Sequence, residues 1–175
     1  WLWGKFHGLS QNYFEIFQLP IQYTLDEKKL DASYRAILSS IHPDRFVNAT
    51  EAEKTQSLMK STLVNDAYTI LKNPIQRAEY LLEINGVSQH VKLDHAFLMQ
   101  QMEWEERLEA EEDVVPLNQF HDEVLTDLKQ KFNHVEVLLD HEKNFTGVAN
   151  ELAQLKFLAK LAQKIKDKTF LLMAD

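Results

Sequence analysis

Ile41-His42-Pro43-Asp44-Arg45-Phe46 separates two stretches with helical periodicity and belongs to neither. Upstream, Leu30, Tyr34, Ile37, Leu38 and Ile41 recur at the spacing of one α-helical face. Downstream, Met59, Leu63, Ala67, Ile70 and Leu71 repeat the pattern. Pro43 has no backbone donor and biases His42 toward extended geometry, so the first helix has to end here. The pattern predicts two helices joined by a loop that displays an imidazole, a rigid ring and a carboxylate side by side. Loops held on rigid scaffolds are where function concentrates. A helix stop followed by a polar loop is the plain alternative, and three residues alone do not decide between the two.

The rest of the composition narrows the class. The chain has 175 residues, enough for one or two small domains, and 45% are hydrophobic, enough for a core. Four Gly, four Pro and little strand-type alternation predict an all-α protein. A formal net charge of −8 without a long Lys/Arg run argues against nucleic-acid binding. Cysteine is absent, which excludes disulfides, a thiolate metal site and a cysteine nucleophile. No apolar run reaches the length of a membrane span. Trp1-Leu2-Trp3-Gly4-Lys5-Phe6 lacks a cleavage pattern for a signal peptide, and no function is assigned to Trp1–Ser10.

Before the hairpin, Tyr13-Phe14-Glu15-Ile16-Phe17-Gln18-Leu19-Pro20 reads as a short helix whose aromatics pack beneath it. Thr24-Leu25-Asp26-Glu27 has the pattern of a capping box with Thr24 as the cap, opening a helix from about Leu25 to Ile41. Lys28, Lys29 and Arg35 lie on its exposed side. The second helix runs from about Glu51 to Lys72, and after Pro74 a shorter one runs from Gln76 to Ile84. Asn85-Gly86 is a stop signal, and residues 85–93 form a polar, unpatterned linker.

Asp94 caps the next predicted helix, to about Glu111. With successive residues about 100° apart, Phe97, Gln101, Trp104 and Leu108 share one narrow stripe. Leu98, Met99, Met102, Glu103 and Glu106 fall almost opposite. A helix apolar on two faces is either sandwiched or part of an interface, and pattern alone leaves both open. Pro116 suits a first helical turn, and Leu117, Phe120, Val124, Leu128, Phe132, Val135 and Leu139 continue at helical spacing. Asn144 to Gly147 reads as the turn before a last helix with core positions Leu152, Leu155, Leu158, Leu161, Ala162 and Ile165. Phe157 lies off that core stripe and is a second candidate for an interface. Three such helices with short connections predict a three-helix bundle.

Helix, His-Pro-Asp loop, then Asn65-Asp66-Ala67-Tyr68-Thr69-Ile70-Leu71 and Pro74-x-x-Arg77-Ala78-x-Tyr80 together resemble a J-domain. A J-domain joined to a small acidic bundle resembles the HscB (Hsc20) family of iron–sulfur co-chaperones. The matching stretches are Arg77-Ala78-Glu79-Tyr80-Leu81-Leu82, Phe97-Leu98-Met99-x-Gln101-Met102-Glu103 and Leu155-Lys156-Phe157-Leu158-x-Lys160-Leu161. The resemblance implies a J-domain over 10–84, the linker over 85–93 and a scaffold-binding bundle over 94–175. It implies a non-enzymatic co-chaperone without cofactor or metal. Such a protein stimulates ATP hydrolysis by a DnaK/HscA-type chaperone and delivers the scaffold IscU to it.

The resemblance assigns chaperone contacts to His42, Pro43, Asp44, Lys28, Lys29 and Arg35. It assigns scaffold contacts to Leu98, Met99, Met102, Glu103, Glu106 and Phe157. Met102 stands where leucine is more usual in the family. The tetracysteine module of many eukaryotic members is missing, so the resemblance implies a bacterial-type, cytoplasmic protein in preference to one of the mitochondrial matrix. A general J-domain co-chaperone with a different client would need the same loop but not the Leu98–Phe157 face.

Two other classes find little support. An acid–base pair of His42 and Asp44 has no nucleophile elbow or phosphate-cradling loop beside it. His90, Asp94 and His95 could converge on a metal, but without supporting groups, and His134 and His141 are two helical turns apart.

Overall fold

The computed structural model describes residues 11–174 and divides the chain into two compact units between Ile84 and Asn85. Residues 1–10 lie outside the described part. Among the described residues there are helices and turns but no strand.

The first unit holds α1 (Tyr13–Ile16), α2 (Glu27–Ser40), a 3₁₀ turn (Pro43–Phe46), α3 (Glu51–Lys72) and α4 (Pro74–Ile84). α1 stops after one turn because Gln18 turns left-handed, at φ 55°, and Leu19 N–H closes back on the Phe14 carbonyl at 2.9 Å. The cap of α2 is not Thr24 but Asp26, whose carboxylate accepts from Lys29 N–H at 3.2 Å. The helix therefore starts at Glu27, since the residue that satisfies the free amides sets the boundary. α3 runs from Glu51, capped by Thr50, to Lys72, and Pro74 opens α4 rather than merely interrupting the chain.

Phe14, Phe17, Leu19 and Tyr23 form the apolar floor with Leu30, Val64, Ala67, Leu71, Ala78 and Leu82. The predicted α3 stripe is only partly core, because Met59 is exposed and burial along α3 is confined to Ser57, Val64, Ala67 and Leu71. The first half of α3 therefore flanks the loop rather than the core.

The second unit holds α5 (His95–Ala110), α6 (Val114–Glu136), a π turn (Val137–His141) and α7 (Phe145–Met173). α6 and α7 form an antiparallel hairpin and bury Leu117, Phe120, Val124, Leu128 and Val135 against Leu152, Leu155, Leu158, Leu161 and Ile165. The π turn accommodates Leu138 and Leu139 side by side in the core, because its wider ring, closed by Glu142 N–H on Val137 O at 2.9 Å, rotates successive side chains less. Asn144 to Gly147 is the capped start of the last helix, with Gly147 in its first turn, and not a separate preceding turn. Asn144 caps α7 by accepting from Gly147 N–H at 3.0 Å.

Only Phe97 of α5 is buried. The helix is held to the hairpin by long side chains. Arg107 makes a two-pronged pair with Glu123, at 2.6 and 3.2 Å, and lies 4.2 Å over the Phe120 ring. Lys168 Nζ donates to the carbonyls of Leu108 and Glu109, which closes the C-terminal end of α5.

Candidate chaperone and scaffold docking sites

The His-Pro-Asp turn is fixed at its base and open at its tip. His42 sits at φ −60°, ψ 140°, the extended geometry that a following proline imposes. Its Nδ1 accepts from Asp44 N–H at 3.3 Å, which places the neutral ring's proton on Nε2. Arg45 Nε donates to the Ser39 carbonyl at 2.9 Å and ties the turn back to the end of α2. From the other side the buried Ser57 of α3 donates through Oγ to the Ile41 carbonyl at 3.1 Å. The Asp44 carboxylate beyond these clamps is 88% exposed, and its 3.5 Å approach to His42 Nδ1 is an ion pair only when the ring is protonated.

Of the three predicted cations, Lys28 and Arg35 are two turns apart on one line of α2, and Lys29 is about 100° round the helix. All three are exposed. The line through Lys28 and Arg35 continues to Ser39, whose carbonyl holds Arg45. Arg45 was legible in the motif itself but was not assigned a role by the sequence, because its link to α2 is tertiary.

The second unit separates the two stripes of α5. Leu98, Met99 and Met102 are 44, 45 and 58% exposed, and Glu103 and Glu106 are exposed beside them. Phe157 is placed differently from the other five. It is half-buried, stacked on Trp104 with ring centroids 6.0 Å apart, and meets Phe97 edge-on at 5.9 Å. It belongs to the seam that joins α5 to α7. The sequence signal missed was the pairing of Phe157, off the α7 core stripe, with Trp104 on the Phe97 stripe of α5. No cluster of three or more metal-ligating groups occurs among the described residues, and His134 instead meets Glu151 at 3.2 Å.

Comparison with known proteins follows the same division. The DnaJ domain family matches residues 12–80, and the family described as HSCB C-terminal oligomerisation domain matches 93–166. The protein is thus a J-domain co-chaperone, a class that implies a DnaK-type chaperone as its partner. The Co-chaperone protein HscB homolog of Burkholderia thailandensis is 39% identical over 165 residues, covering 90% of this chain and 94% of the relative. Its counterpart in Pseudoalteromonas atlantica is 38% identical over 167 residues, covering 90% and 95%. Chaperone HscB from Vibrio cholerae superposes with a TM-score of 0.80 at 34% identity, covering 90% of this chain and 96% of that one. The human co-chaperone protein HscB gives 0.83 at 27% identity, covering 91% and 82%. The chain belongs to the HscB family of co-chaperones.

Proposed function

We propose that the protein stimulates ATP hydrolysis by a DnaK/HscA-type chaperone through the Asp44 turn and brings it the iron–sulfur scaffold IscU on the α5 face. The observation that carries this reading is the presence of Leu98, Met99 and Met102, uncovered on an acidic helix, in the same chain as a clamped His-Pro-Asp turn. Burying each such side chain is worth roughly 1.5–3 kcal/mol, which three adjacent residues offer to a partner. Asp44 pairs with a cation of the chaperone ATPase, His42 orders the turn, and Pro43 limits the conformations that docking must select. Lys28, Lys29, Arg35 and Arg45 meet acidic surface on the same partner. Glu103 and Glu106 steer a basic scaffold surface onto the α5 face, and Phe157 supports that face from behind. Carrying both partners raises the effective concentration of client at the chaperone. The protein contributes no catalytic group of its own, and its bacterial relatives support a setting in the bacterial cytoplasm.

The test is calorimetric titration of the whole chain with apo-scaffold from the same organism. A Leu98→Ala, Met99→Ala, Met102→Ala variant that stays folded should lose binding. Full retention would transfer the client of this co-chaperone to another protein.

A further inference from the structure

Along the N-terminal half of α5 the helix does not close onto α6. Phe97, Gln100 and Trp104 on α5 and Asp127, Lys131 and Glu151 on the hairpin line a groove of about 470 Å³. The volume is within the range of sites that bury a ligand or an anchor side chain. The cause is local. At the other end of α5, Arg107 reaches Glu123 and draws the helices together, whereas Gln100 turns instead to Glu103 of its own helix, at 3.5 Å.

The polar groups of the groove are unevenly matched. Lys131 donates to Gln154 at 2.6 Å and approaches Glu151 at 3.7 Å, and His134 adds a 3.2 Å contact to the same carboxylate. Glu151 is therefore compensated. The Asp127 side chain is half-buried, and its carboxylate makes no hydrogen bond or ion pair with any described residue. A half-buried carboxylate and an indole lining one groove suit a cation, which gains both the charge and the ring face. The groove is also continuous with the docking face, since Gln100 bonds Glu103 and Glu103 adjoins Met99 and Met102 on the helix.

We infer that the groove takes one Lys or Arg side chain from an extended segment of the docked scaffold, its stem over Trp104 and its charge on Asp127. This rests on the reading of the Leu98–Met102 face as the scaffold dock and gives it a specificity pocket. The occupant is a basic side chain because the unmatched group of the groove is an anion, and Glu103 adds a second at its edge.

The experiment is titration of the whole chain with the same apo-scaffold at low and at high salt. Asp127→Lys should weaken binding about tenfold at low salt, and Asp127→Asn less. Asp122→Lys makes the same charge change on the exposed side of α6 and should weaken it far less. The difference between the two reversals should shrink at high salt, where charges are screened. If Asp127→Lys and Asp122→Lys act equally, or Asp127→Asn binds as wild type while Asp127→Lys does not fold, the pocket is refuted and the dock stands. If the Leu98, Met99, Met102 triple variant binds as wild type, the dock itself fails.

Discussion

The Tyr68 hydroxyl of α3 donates to the Asp31 carboxylate of α2 at 2.7 Å, and Lys72, one turn further on, reaches both oxygens of that carboxylate at 3.0 and 3.1 Å. Tyr34 stacks on Tyr68 at 3.9 Å between ring centroids. The two long helices that present the His-Pro-Asp turn are thus pinned by a polar brace at the end remote from it. The Tyr68 hydrogen bond first, and then Lys72, holds the Asp31 carboxyl below its ordinary value of 3.8. A carboxyl with a depressed folded value stabilises the fold above its unfolded value, and that contribution is lost as pH falls through the folded value. Wild type should therefore melt above Asp31→Asn at pH 7, and the gap between their melting temperatures should close below about pH 4.

A second pH signature comes from Tyr80. Burial pushes its phenol up to about 12, against a lesser lowering by the hydrogen bond it accepts from Tyr13 N–H at 2.9 Å. Because the folded value lies above the ordinary 10, the stability involved is complete below pH 10 and is lost as pH rises toward about 12. Ultraviolet titration of the folded protein should show a late tyrosine phase that Tyr80→Phe removes. The same variant leaves the Tyr13 amide without its acceptor and should lower stability by about 1–2 kcal/mol, read from urea unfolding.

Asp44 should separate stability from activity. Its side chain is almost fully exposed, and the clamps on the turn run through Arg45, Ser39, Ser57 and Ile41. Asp44→Asn should leave the melting temperature unchanged while stimulation of a DnaK-type ATPase falls by more than tenfold, because truncating one partner of an interfacial charge pair costs roughly 2–5 kcal/mol. Single-turnover ATP hydrolysis at saturating co-chaperone measures this, and undiminished stimulation would remove Asp44 from the mechanism.

Phe157 and Met102 should behave oppositely, although both belong to the proposed scaffold surface. Phe157→Ala strips the ring that spans Phe97 and Trp104, and should destabilise the second unit by about 2–3 kcal/mol, below the usual cost of truncating a core aromatic because the site is half-buried. Met102→Ala removes an exposed side chain and should change stability by less than about 0.5 kcal/mol. Chemical denaturation of both variants decides this. Loss of scaffold binding in Phe157→Ala is therefore interpretable only with its folded fraction measured.

Much of the architecture was already readable in the chain. Pro43 ends one helix, Asp94 caps another, and the apolar positions of α6 and α7 repeat at a period that only a helix buries on one side. These are local effects, written in side-chain chemistry a few residues apart. The misplaced start of α2 shows where local reading ends. Thr24 and Asp26 both can cap, and in the folded chain it is the Asp26 carboxylate that meets the Lys29 N–H. Met59 matches the periodic pattern, yet half of its surface is exposed.

The order of the two units, the turn that carries Asp44 and the double-faced character of α5 were determined by the sequence itself, because each follows from proline geometry, capping and hydrophobic period. Tertiary structure alone decided which of the α5 stripes found a partner. It drew Phe157 into the seam with Trp104, gave Arg45 an anchor on Ser39 and left Asp127 unmatched beside a groove. The reason is physical: the period of a helix says which residues share a face, but what covers that face is settled by packing between residues tens of positions apart.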